Sequence, residues 1–201
     1  ANLSPVMLQI WSANYNRAVL GDSVWNNAIQ YNSPNWAGFR ASATYGLGEV
    51  TDQGGVHNFN ATLNYDNGPF AAVVSAQKAD YGPGFTTTIT RQDAQMAGIS
   101  YDFSIVRLFG QYFHTDTPDI RTTTRTAQLG FSVPVGPGRI MATVARTERD
   151  AANVDSARTT TGLGYDHYLS KRTDLYAVYL LDKLTSYDRQ SSLAFGVRHR
   201  F

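Results

Sequence analysis

The sequence contains no cysteine, very little lysine and no apolar run longer than a few residues. Without cysteine there is no disulfide framework, no thiolate catalysis and no cysteine-ligated zinc. A transmembrane helix needs about 20 consecutive apolar residues, so spanning helices are excluded. Charged residues make up only 16% of the chain and the formal net charge is +1. This balance argues against a nucleic-acid partner.

Aromatic residues, glycine and clustered threonine are plentiful, with 12 Tyr, 10 Phe and 17 Gly. This composition favours strands and turns. Apolar and polar residues alternate clearly at 58–65, 96–103 and 126–133, so one face of each strand is apolar. The opposite face holds mainly uncharged polar residues or glycine, where a soluble surface usually carries more Lys and Glu. The pattern therefore favours a water-filled lumen over bulk solvent.

Eleven strands and two sets of connections are predicted. The strands lie roughly at 23–33, 36–47, 56–66, 70–79, 93–103, 105–115, 122–134, 138–148, 157–169, 173–183 and 191–201. Short connections (34–35, 67–69, 104, 135–137 and 170–172) alternate with longer ones (48–55, 80–92, 116–121, 149–156 and 184–190). This alternation is typical of an antiparallel up-and-down transmembrane β-barrel with short periplasmic turns. A soluble β-sandwich binding domain is the alternative.

The last strand supports a membrane barrel. Leu193, Phe195 and Val197 alternate with small or cationic residues up to Phe201. This pattern fits a closing strand with lipid on one side and a wet lumen on the other. In 70–79 and 173–183, by contrast, both faces carry apolar residues. Burial in a trimer interface or an inaccurate strand boundary would each explain that.

Three further motifs are N-N-A-I-Q-Y-N-S-P-N-W-A-G-F at 26–39 followed by A-T-Y-G at 43–46, L-S-K-R-T-D-L-Y at 169–176, and G-V-R-H-R-F at 196–201. Together they resemble the general diffusion porins of Gram-negative bacteria, in particular the Neisseria and β-proteobacterial branch. The resemblance covers essentially residues 23–201. One departure is Val24, where the family often has a pore-lining arginine.

The resemblance implies a sixteen-stranded barrel and a homotrimer in the bacterial outer membrane. Residues 23–201 would then supply its barrel strands. Residues 1–22 are either part of the constriction loop or a twelfth strand of a smaller barrel. An open eleven-stranded sheet would leave unpaired edges in lipid, so one of these two alternatives is required. We expect the first, with five further strands upstream.

Two groups of residues are expected to carry function in such a channel. The face opposite the apolar one supplies lumen charges and amides that shape the field across the pore; these pore-lining candidates are Arg17, Arg40, Asp102, Arg107, Gln111, Asp166, Arg198 and Arg200. Aromatic residues near strand ends suit the girdles at the membrane interfaces; these are Tyr45, Tyr65, Tyr101, Tyr112, Tyr165, Tyr176 and Phe201.

The expected function is passive diffusion of small hydrophilic solutes and ions with a mild anion preference, and a non-channel adhesin or structural barrel is the alternative. The sequence contains no recognisable catalytic motif, because the four histidines are scattered and no nucleophile elbow occurs. We expect no enzyme activity, cofactor or metal. Outer-membrane lipid and lipopolysaccharide are the expected surroundings. The acidic loop 148–155 either binds a divalent ion or bridges to lipopolysaccharide, or is simply solvated.

Overall fold

The computed structural model describes residue 25 and residues 27–48, 57–80, 90–152 and 155–201. These residues form eleven strands and one short 3₁₀ helix, η1 (Pro118–Ile120). The strands are β1 (Ala28–Asn32), β2 (Phe39–Gly46), β3 (Asn58–Asn67), β4 (Phe70–Asp80), β5 (Arg91–Asp102), β6 (Arg107–Thr117), β7 (Thr122–Val135), β8 (Gly138–Ala151), β9 (Ser156–Tyr168), β10 (Thr173–Leu184) and β11 (Gln190–His199).

The strands form a single antiparallel sheet in chain order, β1 to β11. The predicted up-and-down order and all eleven strands are confirmed. Within the described part of the chain, β1 and β11 are the two edges of this sheet. No helix among the described residues is long and apolar enough to cross a membrane. The expectations for residues 1–22, including Arg17, lie outside the described residues.

The predicted contrast between short and long connections weakens towards the C-terminus. The β6–β7 and β8–β9 connections shrink to 118–121 and 152–155, because β6 continues through Thr117 and β8 through Ala151. Glu148 and Asp150 are therefore strand residues of β8. Their assignment to an acidic loop was wrong. Threonines on β7 pair with the extended part of β8, which explains why the ladder continues there.

Strand alternation gives the sheet two chemically distinct faces. One register row runs Phe39, Tyr65, Ala72, Ile99, Gly110, Leu129, Val144, Thr161 and Leu181, and we call the face it belongs to the outer face. Its large apolar side chains are exposed, with Leu129 at 66% and Phe195 at 73%. The inner face instead carries the buried threonines, Gln128, Asp166 and Asp174. Apolar surface on the outside and polar groups inside reverse the soluble pattern.

Two strands that looked apolar on both faces place their inner apolar residues over glycines. Val73 of β4 lies opposite Gly98, where an added Cβ would come within 3.2 Å of its side chain. Leu180 of β10 lies opposite Gly162 in the same way, at 3.3 Å. The inner apolar side chains of β4 and β10 therefore fill space that the neighbouring glycines leave open.

Candidate pore-lining wall

The register places six of the eight predicted pore-lining residues on the inner face. Arg40 lies opposite Asn64, Asp102 opposite Arg107, and Gln111 lies between Gly98 and Gln128. Arg198 lies opposite Asp174, and Asp166 lies opposite Tyr176. Arg200 follows β11, and its N–H donates to the carbonyl of Arg172 at 2.9 Å. Continued alternation puts the Arg200 side chain on the inner side.

The inner face also carries three arginines that were not predicted. Arg139 and Arg149 lie on β8 and Arg158 on β9. The alternation of β8 could have revealed Arg139 and Arg149. Ile140 and Val144 lie on the outer face, so the odd-numbered residues of β8 lie on the inner face. The short strand predicted for 138–148 hid Arg149, which lay in the supposed loop.

A buried ion network joins β8, β9, β10 and β11 at the short-turn end of the inner face. Arg198 Nε donates to Asp174 Oδ1 at 2.9 Å, and Arg198 Nη2 donates to Asp166 Oδ2 at 3.3 Å. Arg139 Nη2 donates to the same Asp166 oxygen at 3.3 Å. The Asp166 side chain is fully buried. Buried carboxylates of this kind persist because they are paired and hydrogen-bonded.

A second ion pair lies at the long-loop end. Arg158 holds Asp182 through Nε and Nη2, with a shortest distance of 2.7 Å. Thr160 donates its hydroxyl to Asp182 Oδ1 at 2.9 Å. Both charged side chains are about one-fifth exposed. This two-point geometry is the stronger class of ion pair, so the pair fastens β9 to β10 and adds little free charge to the lumen.

The remaining inner arginines are held less firmly. Arg40 pairs with Asp66 at 2.5 Å, and both side chains are about half exposed. Arg107 donates to Ser100 Oγ at 3.3 Å and lies over the Phe109 ring. In the described residues, Arg107 and Arg149 have no carboxylate within ion-pair distance. No carboxylate of the described residues neutralises these two guanidinium groups, so their positive charge acts on solutes and ions in front of the inner face.

Uncharged amides and hydroxyls occupy the middle of the wall. Gln128 donates to Thr143 at 3.2 Å, and the hydroxyls of Thr126 and Thr147 are 2.9 Å apart. Thr62 and Ser75 form a similar pair at 2.9 Å. These contacts satisfy most of the polar groups across neighbouring strands. The inner face is consequently charged at its two ends and uncharged between them, where these hydroxyls and amides lie beside the inner apolar side chains of β4 and β10.

The predicted girdle residues divide into three groups. Tyr45, Tyr65, Tyr101 and Tyr165 lie on the outer face near strand ends, and Phe201 follows β11 fully exposed. Tyr112 is on the outer face but in the middle of β6. The girdle assignment of Tyr176 is wrong, because its register partners are Asp166 and Gly196 on the inner face and its ring lies over Gly196. It cannot belong to a girdle that faces lipid.

The wall as a whole can supply an electric field and hydration to a solute in front of it. No group of three His, Asp or Glu side chains able to hold a metal ion occurs in the part of the chain that the structure describes. Among the described residues, inner-face arginines outnumber inner-face carboxylates. The cations are Arg40, Arg107, Arg139, Arg149, Arg158, Arg198 and Arg200, and the carboxylates are Asp66, Asp102, Asp166, Asp174 and Asp182.

Comparison with known proteins agrees with this geometry. A family model described as Gram-negative porin matches residues 4–185. Outer membrane porin protein 32 of Delftia acidovorans is 31% identical over 205 residues, covering 88% of this chain and 56% of that protein. The chain thus spans about half the length of this curated relative.

Solved structures share the fold. An anion-selective porin from Comamonas acidovorans superposes with a TM-score of 0.74 at 27% identity, over 88% of this chain and 60% of that one. A loop L8 deletion mutant of OmpT from Vibrio cholerae gives 0.73 at 16% identity, over 92% of this chain and 66% of that one. The second likeness concerns the fold alone.

Proposed function

Because this chain belongs to the Gram-negative porin family, we propose that the complete protein forms a water-filled channel in the outer membrane. The channel passes small hydrophilic solutes and ions by diffusion and catalyses no reaction. One observation carries the proposal: the outer face is an exposed apolar band, while the inner face is lined with hydroxyls, amides and paired charges. Lipid on one side and water on the other account for this inversion.

The proposed channel favours anions mildly. Arginines outnumber carboxylates on the inner face, and Arg107 and Arg149 lack a carboxylate partner among the described residues. Cationic groups along a narrow aqueous passage raise the local concentration of anions. The solved porin that this chain resembles at 27% identity is described as anion-selective, which supports the same direction.

The proposal extends to the complete assembly. We place the described strands in a sixteen-stranded barrel, with residues 1–22 contributing to the constriction loop and Arg17 facing the channel. A sheet with two unpaired edges cannot stand in lipid, so β1 and β11 need further strands or each other. Three such barrels are proposed to associate as a homotrimer surrounded by lipopolysaccharide and phospholipid.

Conductance of the full-length protein in planar bilayers tests the channel directly. Changing Arg40 and Arg107 together to Ala should lower the ratio of anion to cation permeability, because both charges lie on the inner face. Lys183→Ala is the matched control, since Lys183 lies on the outer face of β10. An unchanged ratio in the double variant would refute the selectivity assignment. A folded protein without conductance would favour a non-channel barrel.

A further inference from the structure

One row of the inner face, at the rim beside the long loops, consists of side chains that donate hydrogen bonds. It crosses four neighbouring strands and contains Thr115 of β6, Thr124 of β7, Arg149 of β8 and Ser156 of β9. Residues directly opposite each other on antiparallel strands have Cβ atoms about 5 Å apart. Three hydroxyl groups and one guanidinium group therefore lie side by side, and we call these four residues the donor row.

The hydroxyls of the donor row lack partners within the described part of the chain. No side-chain hydrogen bond joins Thr115, Thr124 or Ser156 to another described residue, although the two threonines are each only 4% exposed. In the next row towards the short turns, by contrast, the hydroxyls of Thr126 and Thr147 are 2.9 Å apart. Buried polar groups are normally hydrogen-bonded. The unpaired hydroxyls therefore indicate a partner that comes from outside these strands.

The guanidinium of Arg149 has donors to spare as well. Its Nε is buried and donates to no group of the described residues. Nor does any carboxylate in the described ranges lie within ion-pair distance of it. A guanidinium carries five N–H donors and no acceptor, and a hydroxyl can donate one hydrogen bond. The donor row thus presents a positive charge flanked by hydroxyl donors, with no carboxylate or amide oxygen of its own to receive them.

The carboxylates nearest to the donor row are engaged elsewhere. Glu148 and Asp150 flank Arg149 on β8 but lie on the outer face, because side chains alternate along a strand. On the inner face, Asp182 is held at 2.7 Å in the two-point ion pair between β9 and β10. Asp155, in the connection between β8 and β9, accepts from the N–H at the end of β8 at 3.4 Å. An acceptor for the donor row therefore has to be supplied by a ligand.

The arrangement of the donors selects the shape of the anion. A carboxylate has two oxygens, and a guanidinium that binds it through two N–H groups occupies both of them. A phosphate group has further strong acceptor oxygens. It can therefore pair with the guanidinium and still accept from the hydroxyls on either side. A halide offers one centre and cannot bridge groups that lie about 5 Å apart.

We propose that the donor row binds a tetrahedral oxyanion of the phosphate class at the loop-side rim of the inner face. Arg149 pairs with two oxygens of the anion, and the hydroxyls of Thr124 and Ser156 donate to the others from the two sides. Thr115 extends the row by one hydroxyl on the β6 side. The inference rests on the proposed function only in that the inner face must be open to water. It makes the wall selective among anions, which positive charge alone would not do.

Equilibrium dialysis of the refolded full-length protein in detergent micelles against radiolabelled inorganic phosphate tests the site without a conductance measurement. Low salt keeps the screening of the charge weak. Arg149→Gln should weaken phosphate binding about tenfold, because it removes both the charge and the two-point contact. Arg146→Gln is the matched control on the outer face of the same strand and should bind phosphate like the native protein. Equal binding by the native protein and the Arg149→Gln variant would overturn the proposal.

A second variant tests the hydroxyls and keeps the charge. Thr124→Val removes one hydroxyl at nearly constant volume and should weaken phosphate binding about threefold, as expected for one hydrogen bond. Thr126→Val is its control, since that hydroxyl is already bonded to Thr147 and lies one row nearer the turns. Undiminished phosphate binding in the Thr124→Val variant would show that the hydroxyls take no part and would overturn the donor row as a site.

Competition and conductance complete the test. Sulfate should displace bound phosphate, whereas chloride and acetate at the same ionic strength should not. Displacement by chloride or acetate as effective as that by sulfate would overturn the assignment to a tetrahedral oxyanion. Chloride conductance in planar bilayers separates the two proposals. A protein that conducts chloride but binds no phosphate refutes the site and leaves the channel standing, while phosphate binding without conductance supports the site and refutes the channel.

Discussion

The two faces of the sheet treat charge in opposite ways. The inner face carries charge at both ends of its strands and buries part of it, as in the Asp166, Asp174 and Arg198 network. The outer face has no charged residue between Leu129 and Val135 on β7, or between Ile140 and Ala145 on β8. Its charges begin abruptly at Arg125 and Arg146.

This difference shows that one alternating sequence has to satisfy two solvents at once. A charge on the inner face can find water or an opposite charge across the strand, so its cost is met locally. A charge in the middle of the outer face would meet only hydrocarbon, where no such partner exists. Neighbouring residues of the same strand therefore obey different rules.

The largest expected effect comes from removing the shared cation of the inner network. Arg198→Ala leaves Asp166 and Asp174 buried with only Arg139 still paired to one of them. Breaking a buried pair from one side costs about 3–5 kcal/mol. Urea unfolding of the refolded full-length protein measures this loss. Arg172→Ala, in an exposed turn, is the control; equal stability of the two variants would show that the network is not structural.

The next effect compares adjacent residues on opposite faces. Leu63→Arg places a cation in the middle of the outer face of β3, whereas Asn64→Arg places it on the inner face. The outer variant should lose about 2–4 kcal/mol of folding free energy in lipid, and the inner one should lose much less. Unfolding in liposomes measures both. Similar losses at the two positions would contradict the assignment of faces.

A smaller effect is expected on ion selectivity, which should decrease or increase according to the sign of the charge removed from the inner face. Arg107→Ala should lower the anion-to-cation permeability ratio and Asp66→Asn should raise it, because each changes the inner-face charge by one unit. A unit charge at about 10 Å in water shifts an ion's energy by about 0.4 kcal/mol, or about twofold. Reversal potentials at low salt detect this shift, since screening weakens it at high salt. Shifts of the same sign would refute the electrostatic account.

Much of the fold was predictable because strand alternation is a local signal. All eleven strands and their antiparallel order follow from period-2 patterns and turn residues, as in 58–65 and 126–133. The ends of strands were less accurate at the long loops. Polar residues such as Thr117 and Arg149 continue the hydrogen-bonded ladder there. Polar side chains are equally common in solvent-exposed strands and in loops, so these residue types do not mark where the strand ends.

The site residues show where alternation is insufficient. Tyr176 was expected in a girdle because β10 is apolar on both faces and its parity is ambiguous. Gly196 opposite Tyr176, with Asp174 and Asp182 at the same parity, was the signal that it points inward. Partner choice was not predictable, since Arg198 reaches both Asp174 and Asp166 through a register that only the folded sheet sets.

The smallest effect concerns a contact outside both faces. Asp119 in η1 accepts hydrogen bonds from the N–H and hydroxyl of Thr90, at 2.6 and 2.9 Å, and from the N–H of Arg91 at 3.0 Å. These donors, the Thr90 N–H first, lower the pKa of Asp119 below its ordinary value. A lowered folded-state pKa means that the contact contributes fully above the unfolded pKa of Asp and is lost as pH falls through the folded one.

Hydrogen exchange at the Thr90 and Arg91 amides measures this dependence, with rates corrected for the intrinsic effect of pH. Protection of both amides should be constant near neutrality and should decrease only below about pH 4, the ordinary pKa of the aspartate side chain. Asp119→Asn removes the titrating group. In this variant the protection of the Thr90 and Arg91 amides should be lower at neutral pH and should no longer change in acid. Retained acid sensitivity in this variant would assign the effect to another carboxylate.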